Sequence, residues 1–313
     1  MFLIIQIPAF NEEGSLAQTL AGLPRHMPGV DAIEYLVIDD GSTDRTRDVA
    51  AAAGAHHIIS HQRNEGLAKA FMTGLEASLK LGADVIVNID ADNQYCADDI
   101  PALIAPIQEK RAEIVVGARA IDSIDGFSPL KKLLQKVGSA VVRLVSNTQV
   151  PDAPSGFRAM TREAALRLNV FSGFTYTLET IIQAGQKKIA IASVPVRTNP
   201  VTRPSRLVSS TWSYIRQSLA TILRILVIYR PFRIFATIGA CILALGVLLG
   251  ARFLWFYVID GGRGHVQSVI LCSILLIVGF QTILFAFVTD VISANRKLLE
   301  EIQYKLRKLD LDR

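Results

Sequence analysis

Two apolar stretches near the end of the chain constrain its fold more than any other feature. Residues 234–259 carry one charge, Arg252, and residues 266–289 carry none. Each exceeds the roughly 20 residues needed to cross about 30 Å of hydrocarbon. A segment in lipid must satisfy its backbone polar groups internally, so both stretches are expected to be helices. The connection Asp260-Gly261-Gly262-Arg263-Gly264-His265 allows only a tight hairpin, which puts both outer ends on one side. Arg230 and Arg233 precede the hairpin, and Arg296, Lys297, Lys305, Arg307 and Lys308 follow it. Only Arg263, with Arg252 near Trp255 and Tyr257, marks the far end, where Arg252 can snorkel to the interface. The positive-inside rule therefore predicts a two-span membrane protein with both termini in the cytoplasm.

The charge distribution points the same way. Half of the 313 residues are hydrophobic and the formal net charge is +5. From Arg203 to Ile259 there is no Asp, Glu or Lys, yet Arg203, Arg206, Arg216, Arg224, Arg230, Arg233 and Arg252 are all present. Arginine alone beside long apolar runs suits anionic lipid head groups. Nucleic acid is not expected as a partner, because neither interleaved stacking aromatics nor a helix-turn-helix pattern is found. Residues 207–230 carry Trp212, Ile215, Leu219, Leu223, Leu226 and Val227, interrupted by Arg216 and Arg224. That pattern predicts an amphipathic helix lying in the membrane interface. Apolar positions 298, 299, 302, 306 and 309 predict an amphipathic tail, suited to packing along another subunit of a homo-oligomer or along the membrane surface. Cys96, Cys241 and Cys272 are too widely spaced for a disulfide framework or a zinc site.

Residues 1 to about 200 alternate short β-type runs with helical ones. Strands are expected at Phe2–Ile7, Tyr35–Asp39, His57–Ser60, Asp84–Ile89, Glu113–Ala118 and Ile189–Val196. Helices are expected at Glu12–Gly22, Asp44–Ala53, Leu67–Leu81 and Asp98–Lys110. Met1–Pro8 lacks the basic start and small-residue cleavage site of a signal peptide and reads as a first strand. Strand–helix alternation of this kind predicts a mostly parallel sheet covered on both faces. The expected division is an α/β domain over 1–202, a juxtamembrane helix over 203–231, the hairpin over 232–290 and the tail over 291–313.

Four loops that follow strands carry the chemistry. They are Pro8-Ala9-Phe10-Asn11-Glu12-Glu13, Asp39-Asp40-Gly41-Ser42-Thr43-Asp44, Asn64-Glu65-Gly66-Leu67-Ala68-Lys69-Ala70 and Asp90-Ala91-Asp92-Asn93-Gln94. The last places two carboxylates, one residue apart, just past the buried run Val85–Ile89, with a neutral oxygen at Gln94. Open α/β sheets bind ligands at that edge. Hard divalent cations on a diphosphate are held there by one or two carboxylates, with substrate oxygens and water completing the shell.

These loops resemble the "PxxNE", "DDGS" and "DxD" elements of family 2 glycosyltransferases, which have the Rossmann-like GT-A fold. Within that family the chain is similar to the dolichyl- and polyprenyl-phosphate sugar synthases. The resemblance covers about residues 3–206. It implies that Pro8, Asn11, Glu12, Asp39 and Asp40 hold the nucleoside, with Gly66, Ala70, Asp90 and Ala91 near ribose and pyrophosphate. It also implies Mg²⁺ or Mn²⁺ on Asp90, Asp92 and Gln94. The acceptor, a polyprenyl or dolichyl phosphate, would meet Arg119 and the helix beyond it. That helix departs from the family pattern, offering Lys131, Lys132 and Lys136, with Gln135 or Ser139 in place of a clearly placed serine. Asp152-Ala153-Pro154-Ser155-Gly156-Phe157-Arg158 resembles the "SGFR" element near the sugar. Arg203-Pro204-Ser205-Arg206 resembles a basic loop that closes over diphosphate and acceptor. Asp92, Arg119, Asp152 and Arg203 are the residues expected to carry the reaction.

The implied reaction is an inverting transfer from a nucleotide sugar, a UDP-sugar in preference to GDP-mannose, at the cytoplasmic membrane face. A polyprenyl phosphate is already anionic, so no catalytic base is required. A transferase to a hydroxyl would need one, and Asp152 is the candidate. A processive polysaccharide synthase would need a Gln-x-x-Arg-Trp motif, which neither Trp212 nor Trp255 completes. A scaffold with a degenerate nucleotide fold would have lost the Asp-x-Asp or Arg119, and both are present.

Overall fold

The period-2 alternation of the first strand sets up two apolar layers. The computed structural model describes residues 1–120, 129–170, 176–199, 231–261 and 266–311, with isolated positions between 216 and 227; the side chains of 129–135 lie outside it. Strand β1 (Phe2–Ala9) is buried over seven of its eight residues. Leu3, Ile5 and Ile7 face one way and join Leu16, Leu20, Leu103, Ile104 and Ile107 in a common core. Ile4, Gln6 and Pro8 face the other way.

The remaining strands are β2 (Ala32–Asp39), β3 (His57–Ser60), β4 (Val85–Asn88), β5 (Ile114–Arg119), β6 (Arg158–Thr161) and β7 (Ile191–Val196). They form one seven-stranded sheet in the order β3-β2-β1-β4-β6-β5-β7. All pairings are parallel except those of β6, which runs antiparallel between β4 and β5. The sequence pattern predicts no strand at β6, because four residues of mixed polarity, Arg158-Ala159-Met160-Thr161, give little periodic signal. The mostly parallel sheet agrees with expectation.

Helices α1 (Leu16–Ala21), α2 (Thr46–Ala52), α3 (Leu67–Lys80) and α4 (Ile100–Gln108) follow the first four connections. Three begin later than the sequence suggests, α4 after a 3-10 turn over Ala97–Asp99. The Glu12 carbonyl accepts the Ser15 and Leu16 amides, so 12–15 is a turn. Asp44 Oδ1 accepts the Thr46 amide at 2.9 Å and serves as a cap ahead of α2. Beyond β5 come α5 (Pro129–Ser146), α6 (Arg162–Arg167) and α7 (Thr177–Gln186), with α5 packed on α7.

Two compact units result, Met1–Ile222 with Tyr304–Arg313, and Leu223–Gln303. The second contains most of α8 (Pro231–Asp260) and α9 (Val266–Leu311), both long and apolar enough to cross a membrane. Glycines let the two helices approach closely. A Cβ at Gly279 would lie 2.7 Å from the Leu243 amide nitrogen, and Cys272 Sγ sits 3.2 Å from the Gly246 carbonyl oxygen. Small residues at such a seam are how helices associate where lipid is as apolar as the side chains. The interfacial helix expected over 207–230 falls largely outside the described residues.

Helix α9 runs unbroken from Val266 to Leu311, through the residues of the expected tail. Its last turns belong to the first unit. There Tyr304 donates its hydroxyl to Glu163 Oε1 at 2.7 Å, and Arg307 donates to the Leu168 carbonyl and to Glu76.

Candidate active site

Strand order places the site. Going outward from β1, β2 and β3 lie on one side and β4 on the other, so the chain reverses direction between β1 and β4. A crevice opens at such a switch point, beyond the carboxyl ends of the strands. The loops after β1, β2, β3 and β4 all leave from that edge, as does Arg119 at the end of β5.

The loops after β1 and β2 are tied together. The Asn11 amide donates to Ser42 Oγ at 2.9 Å and the Thr43 amide donates to Asn11 Oδ1 at 2.8 Å. The Glu12 amide donates to Thr46 Oγ1, while its carboxylate accepts from Ser15. Asn11 itself sits at φ 55, a conformation asparagine tolerates better than most residues. Asp39 Oδ1 accepts the Ser42 amide at 3.0 Å. Asp40 turns away into the loop after β3. Its carboxylate accepts the Glu65 and Gly66 amides, both at 2.9 Å, and meets His61 Nδ1 at 2.7 Å. Gly41, at φ +69, lies so close to Arg63 and Asn64 that a Cβ would fall 2.6 Å from the Asn64 nitrogen. Pro8 and Ala70 are buried beneath these loops, and Gly66 opens α3 at φ 94.

Past β4 lies the Asp-x-Asp loop. Asp90 and Asp92 are half-buried, and Ala91 is buried with its carbonyl accepting from Thr19 Oγ1 at 3.0 Å. Asp92 Oδ1 accepts the Gln94 amide at 3.2 Å, across a turn made by Asn93 at φ 57. Burial first, and the negative charge of Asp92 second, push the Asp90 carboxyl up to about 7, with Arg119 and Arg158 opposing. A divalent cation answers that strain, since it would neutralise both carboxylates at once. Among the described residues no group of three or more His, Cys, Asp and Glu could hold a metal. The donor set present thus fits a cation that takes its other oxygens from a diphosphate and water. Asp90 and Asp92, with Gln94 adjoining, are the residues that would hold it.

A second ring of contacts steadies this loop. Gly156 rests against Asp90, where a Cβ would lie 2.7 and 2.8 Å from the two carboxylate oxygens. The Gly156 amide donates to the Tyr95 hydroxyl at 3.1 Å. Asn88 Nδ2 donates to the Gly156 carbonyl and to Tyr176 Oη, and Asn88 Oδ1 accepts from Gln6 Nε2. Arg158, 1 % exposed, donates to the Ser155 and Ala153 carbonyls and to Thr180. Asn199 clips the other side, its amide on the Gln94 carbonyl at 2.9 Å and Nδ2 on the Asn93 carbonyl at 3.0 Å. Sequence reasoning misses Gln6, Asn88, Tyr95, Tyr176, His61 and Asn199. Two of them do carry a readable signal: Gln6 and Asn88 are amides inside otherwise apolar strands.

Arg119 and Asp152 form a two-pronged ion pair. Arg119 Nε donates to Oδ2 at 2.7 Å and Nη2 to Oδ1 at 3.1 Å, with the backbone amide adding a third bond at 3.2 Å. The Arg119 guanidinium also lies 5.8 Å from the Tyr95 ring centre. Ser139 is fully buried, its Oγ accepting the Ala153 amide at 3.3 Å, so it braces this loop. Lys136 is exposed on α5, and the Lys132 side chain lies outside the described residues. Arg203 and Arg206 also fall outside them.

The sequence model of the family described as "Glycosyl transferase family 2" matches residues 4–168. The chain belongs to that family. Among its relatives is the UDP-N-acetylglucosamine–dolichyl-phosphate N-acetylglucosaminyltransferase of Methanococcus voltae, 32 % identical over an alignment of 217 residues that covers 61 % of this chain and 83 % of the relative. Another is the undecaprenyl-phosphate mannosyltransferase of Micrococcus luteus, 27 % identical over 200 residues, covering 61 % and 80 %. The fold is shared with glucosyl-3-phosphoglycerate synthase of Mycobacterium tuberculosis, crystallised with Mn²⁺, UDP-glucose and phosphoglyceric acid. Their TM-score is 0.57 at 24 % identity, over 72 % of this chain and 79 % of that one.

Proposed function

We propose that this glycosyltransferase moves a sugar from a nucleoside diphosphate sugar to a polyprenyl or dolichyl phosphate, with inversion at the anomeric carbon. A UDP-sugar is the favoured donor, and the cytoplasmic membrane face the favoured place. The observation that carries the reading is the Arg119–Asp152 pair. With both its oxygens engaged by one guanidinium, Asp152 is a poor base for a hydroxyl acceptor. An acceptor that arrives as a phosphate monoester needs no base, only cations to align it. The names of the Methanococcus and Micrococcus relatives, both of which specify a polyprenyl phosphate, support the same acceptor.

On this reading the loops after β1, β2 and β3 hold the nucleoside. Asp39 keeps one carboxylate oxygen, Oδ2, beyond its bond to Ser42 for the base or ribose. Asp90, Asp92 and Gln94 would hold Mg²⁺ or Mn²⁺, which supplies positive charge to the departing diphosphate. Arg119 faces the acceptor phosphate, with Lys132, Lys136, Arg203 and Arg206 adding positive charge around it. Charge already fixed in place costs no reorganisation as negative charge develops on the leaving group.

The test is transfer of radiolabel from UDP-glucose, UDP-N-acetylglucosamine, UDP-galactose or GDP-mannose, each with one polyprenyl phosphate. Label entering the organic phase from one donor supports the proposal and names the sugar. Label entering polymer or protein instead would overturn it.

A further inference from the structure

The residue after Gln94 is an aromatic one, and at Tyr95 the Asp-x-Asp loop meets three other segments of the chain. Its side chain is 3 % exposed. The backbone is pinned first. Tyr95 bridges Thr198 in antiparallel fashion, its carbonyl accepts from Asn199 Nδ2 at 3.3 Å, and the Cys96 amide donates to the Arg197 carbonyl at 3.2 Å. With the main chain held, only two side-chain torsions remain to aim the phenol.

The two ends of that phenol do different things. The hydroxyl accepts the Gly156 amide at 3.1 Å and lies 3.4 Å from Ser155 Oγ. Gly156 in turn abuts the Asp90 carboxylate with no room for a methyl between them. The ring packs 5.1 Å from the Phe157 ring and lies beneath the Arg119 guanidinium. A cation over an aromatic face is drawn to the ring's quadrupole, most strongly where water is excluded. Asp152 grips the guanidinium along one edge and Tyr95 covers one face, so edge and face are both fixed.

The strand order makes such a link necessary. Asp90 follows β4 and Arg119 ends β5, and β6 stands between those strands. No ladder bond therefore sets one strand end against the other. A side chain has to do it.

We propose that Tyr95 is a positioning residue that registers the two halves of the site, its hydroxyl setting Gly156 against Asp90 and its ring setting Arg119. The role rests on the proposed function, which assigns the cation to the Asp90 side and the acceptor phosphate to Arg119.

The experiment separates the two ends of the phenol in the full chain. Tyr95→Phe keeps the ring and removes the oxygen, leaving the buried Gly156 amide without its acceptor. Mn²⁺ affinity, measured by calorimetry with whichever of UDP and GDP the enzyme binds more tightly, should fall about tenfold. KM for polyprenyl phosphate should stay nearly unchanged. Tyr95→pentafluorophenylalanine keeps the shape of the Phe variant and reverses the ring's quadrupole. It should match Tyr95→Phe in Mn²⁺ affinity and raise KM for polyprenyl phosphate about fivefold above it. A residue that served packing alone would move both constants together in the two variants, or neither. Either outcome would overturn the proposal, as would unchanged Mn²⁺ affinity in Tyr95→Phe. Absent transfer to polyprenyl phosphate by the unmodified enzyme would count against the proposed reaction instead, and Mn²⁺ affinity in Tyr95→Phe would still decide the role of the hydroxyl.

Discussion

His61 Nδ1 lies 2.7 Å from Asp40 Oδ1, while the other ring nitrogen lies 3.0 Å from Thr73 Oγ1 on α3. The imidazole thus ties the DDGS turn to the helix that Gly66 opens. A neutral ring protonated at Nδ1 satisfies both bonds, donating to the carboxylate and accepting from the hydroxyl. Asp40 also accepts the Glu65 and Gly66 amides, so under the proposed function it would act on the nucleotide through the 64–66 loop.

His61→Ala should therefore loosen that loop without touching the reacting atoms. Nucleotide affinity measured by calorimetry should fall about tenfold, the worth of one charge-assisted bond, with kcat nearly unchanged. His61→Asn, which keeps a donor toward Asp40, should restore part of the loss. Unaltered affinity in His61→Ala would remove the histidine from any positioning role.

Much of the site is legible in the amino-acid sequence, for a physical reason. Carboxylates and glycines at the ends of apolar runs keep their sequence spacing in the fold, so Asp39, Asp90 and Arg119 are found at the strand edge where the pattern predicts them. What spacing cannot carry is which way a side chain turns. Asp39 and Asp40 are neighbours in one motif, yet Asp40 faces His61 and the 64–66 loop. Likewise Ser139 is expected from the family resemblance to meet the phosphate, and its hydroxyl instead accepts the Ala153 amide in a buried position. The pairing of Arg119 with Asp152 crosses 33 residues and depends on β6 inserting between β4 and β5, a topology that no local pattern encodes.

That pairing makes two arginine variants informative. Arg119→Ala leaves Asp152, 1 % exposed at its side chain, as a buried charge without its bidentate partner. Breaking such a pair typically costs about 3–5 kcal/mol, so the variant should melt well below the parent. Arg119→Lys keeps the charge and loses the fork. It should stay folded and show a raised KM for polyprenyl phosphate with little change in UDP affinity. Lost nucleotide binding with an unchanged lipid KM would move Arg119 to the donor pocket.

Gly156→Ala tests the contact beneath the Asp-x-Asp loop. The added methyl would meet both Asp90 oxygens within 2.8 Å and Tyr176 Oη at 3.0 Å. Asp90 must then shift, and a carboxylate displaced by even part of an ångström no longer meets a hard cation's short bonds. Transfer should fall by about a hundredfold, with Mn²⁺ affinity falling in parallel. Full Mn²⁺ affinity in this variant would show that Asp90 is not held by Gly156. Asp92→Ala, by contrast, should abolish transfer while leaving the fold intact.

The raised Asp90 carboxyl gives the last expectation, with a sign that can be worked out. Its ordinary value is 3.8 and in the folded protein it is pushed up to about 7. The folded state therefore holds this proton more tightly than the unfolded one. The resulting stability is complete below pH 3.8 and is lost as pH rises through 7. Without metal at pH 8, wild-type protein carries the cost of a buried carboxylate beside Asp92. Asp90→Asn removes that ionisation. In EDTA the variant should melt above wild type at pH 8, and the gap should close as pH falls from 7 toward 4. Adding Mn²⁺ should raise the wild-type melting temperature at pH 8 and leave the variant's nearly unchanged, because the ion neutralises what the substitution has already removed. A melting difference that ignores pH would mean Asp90 is not the strained group.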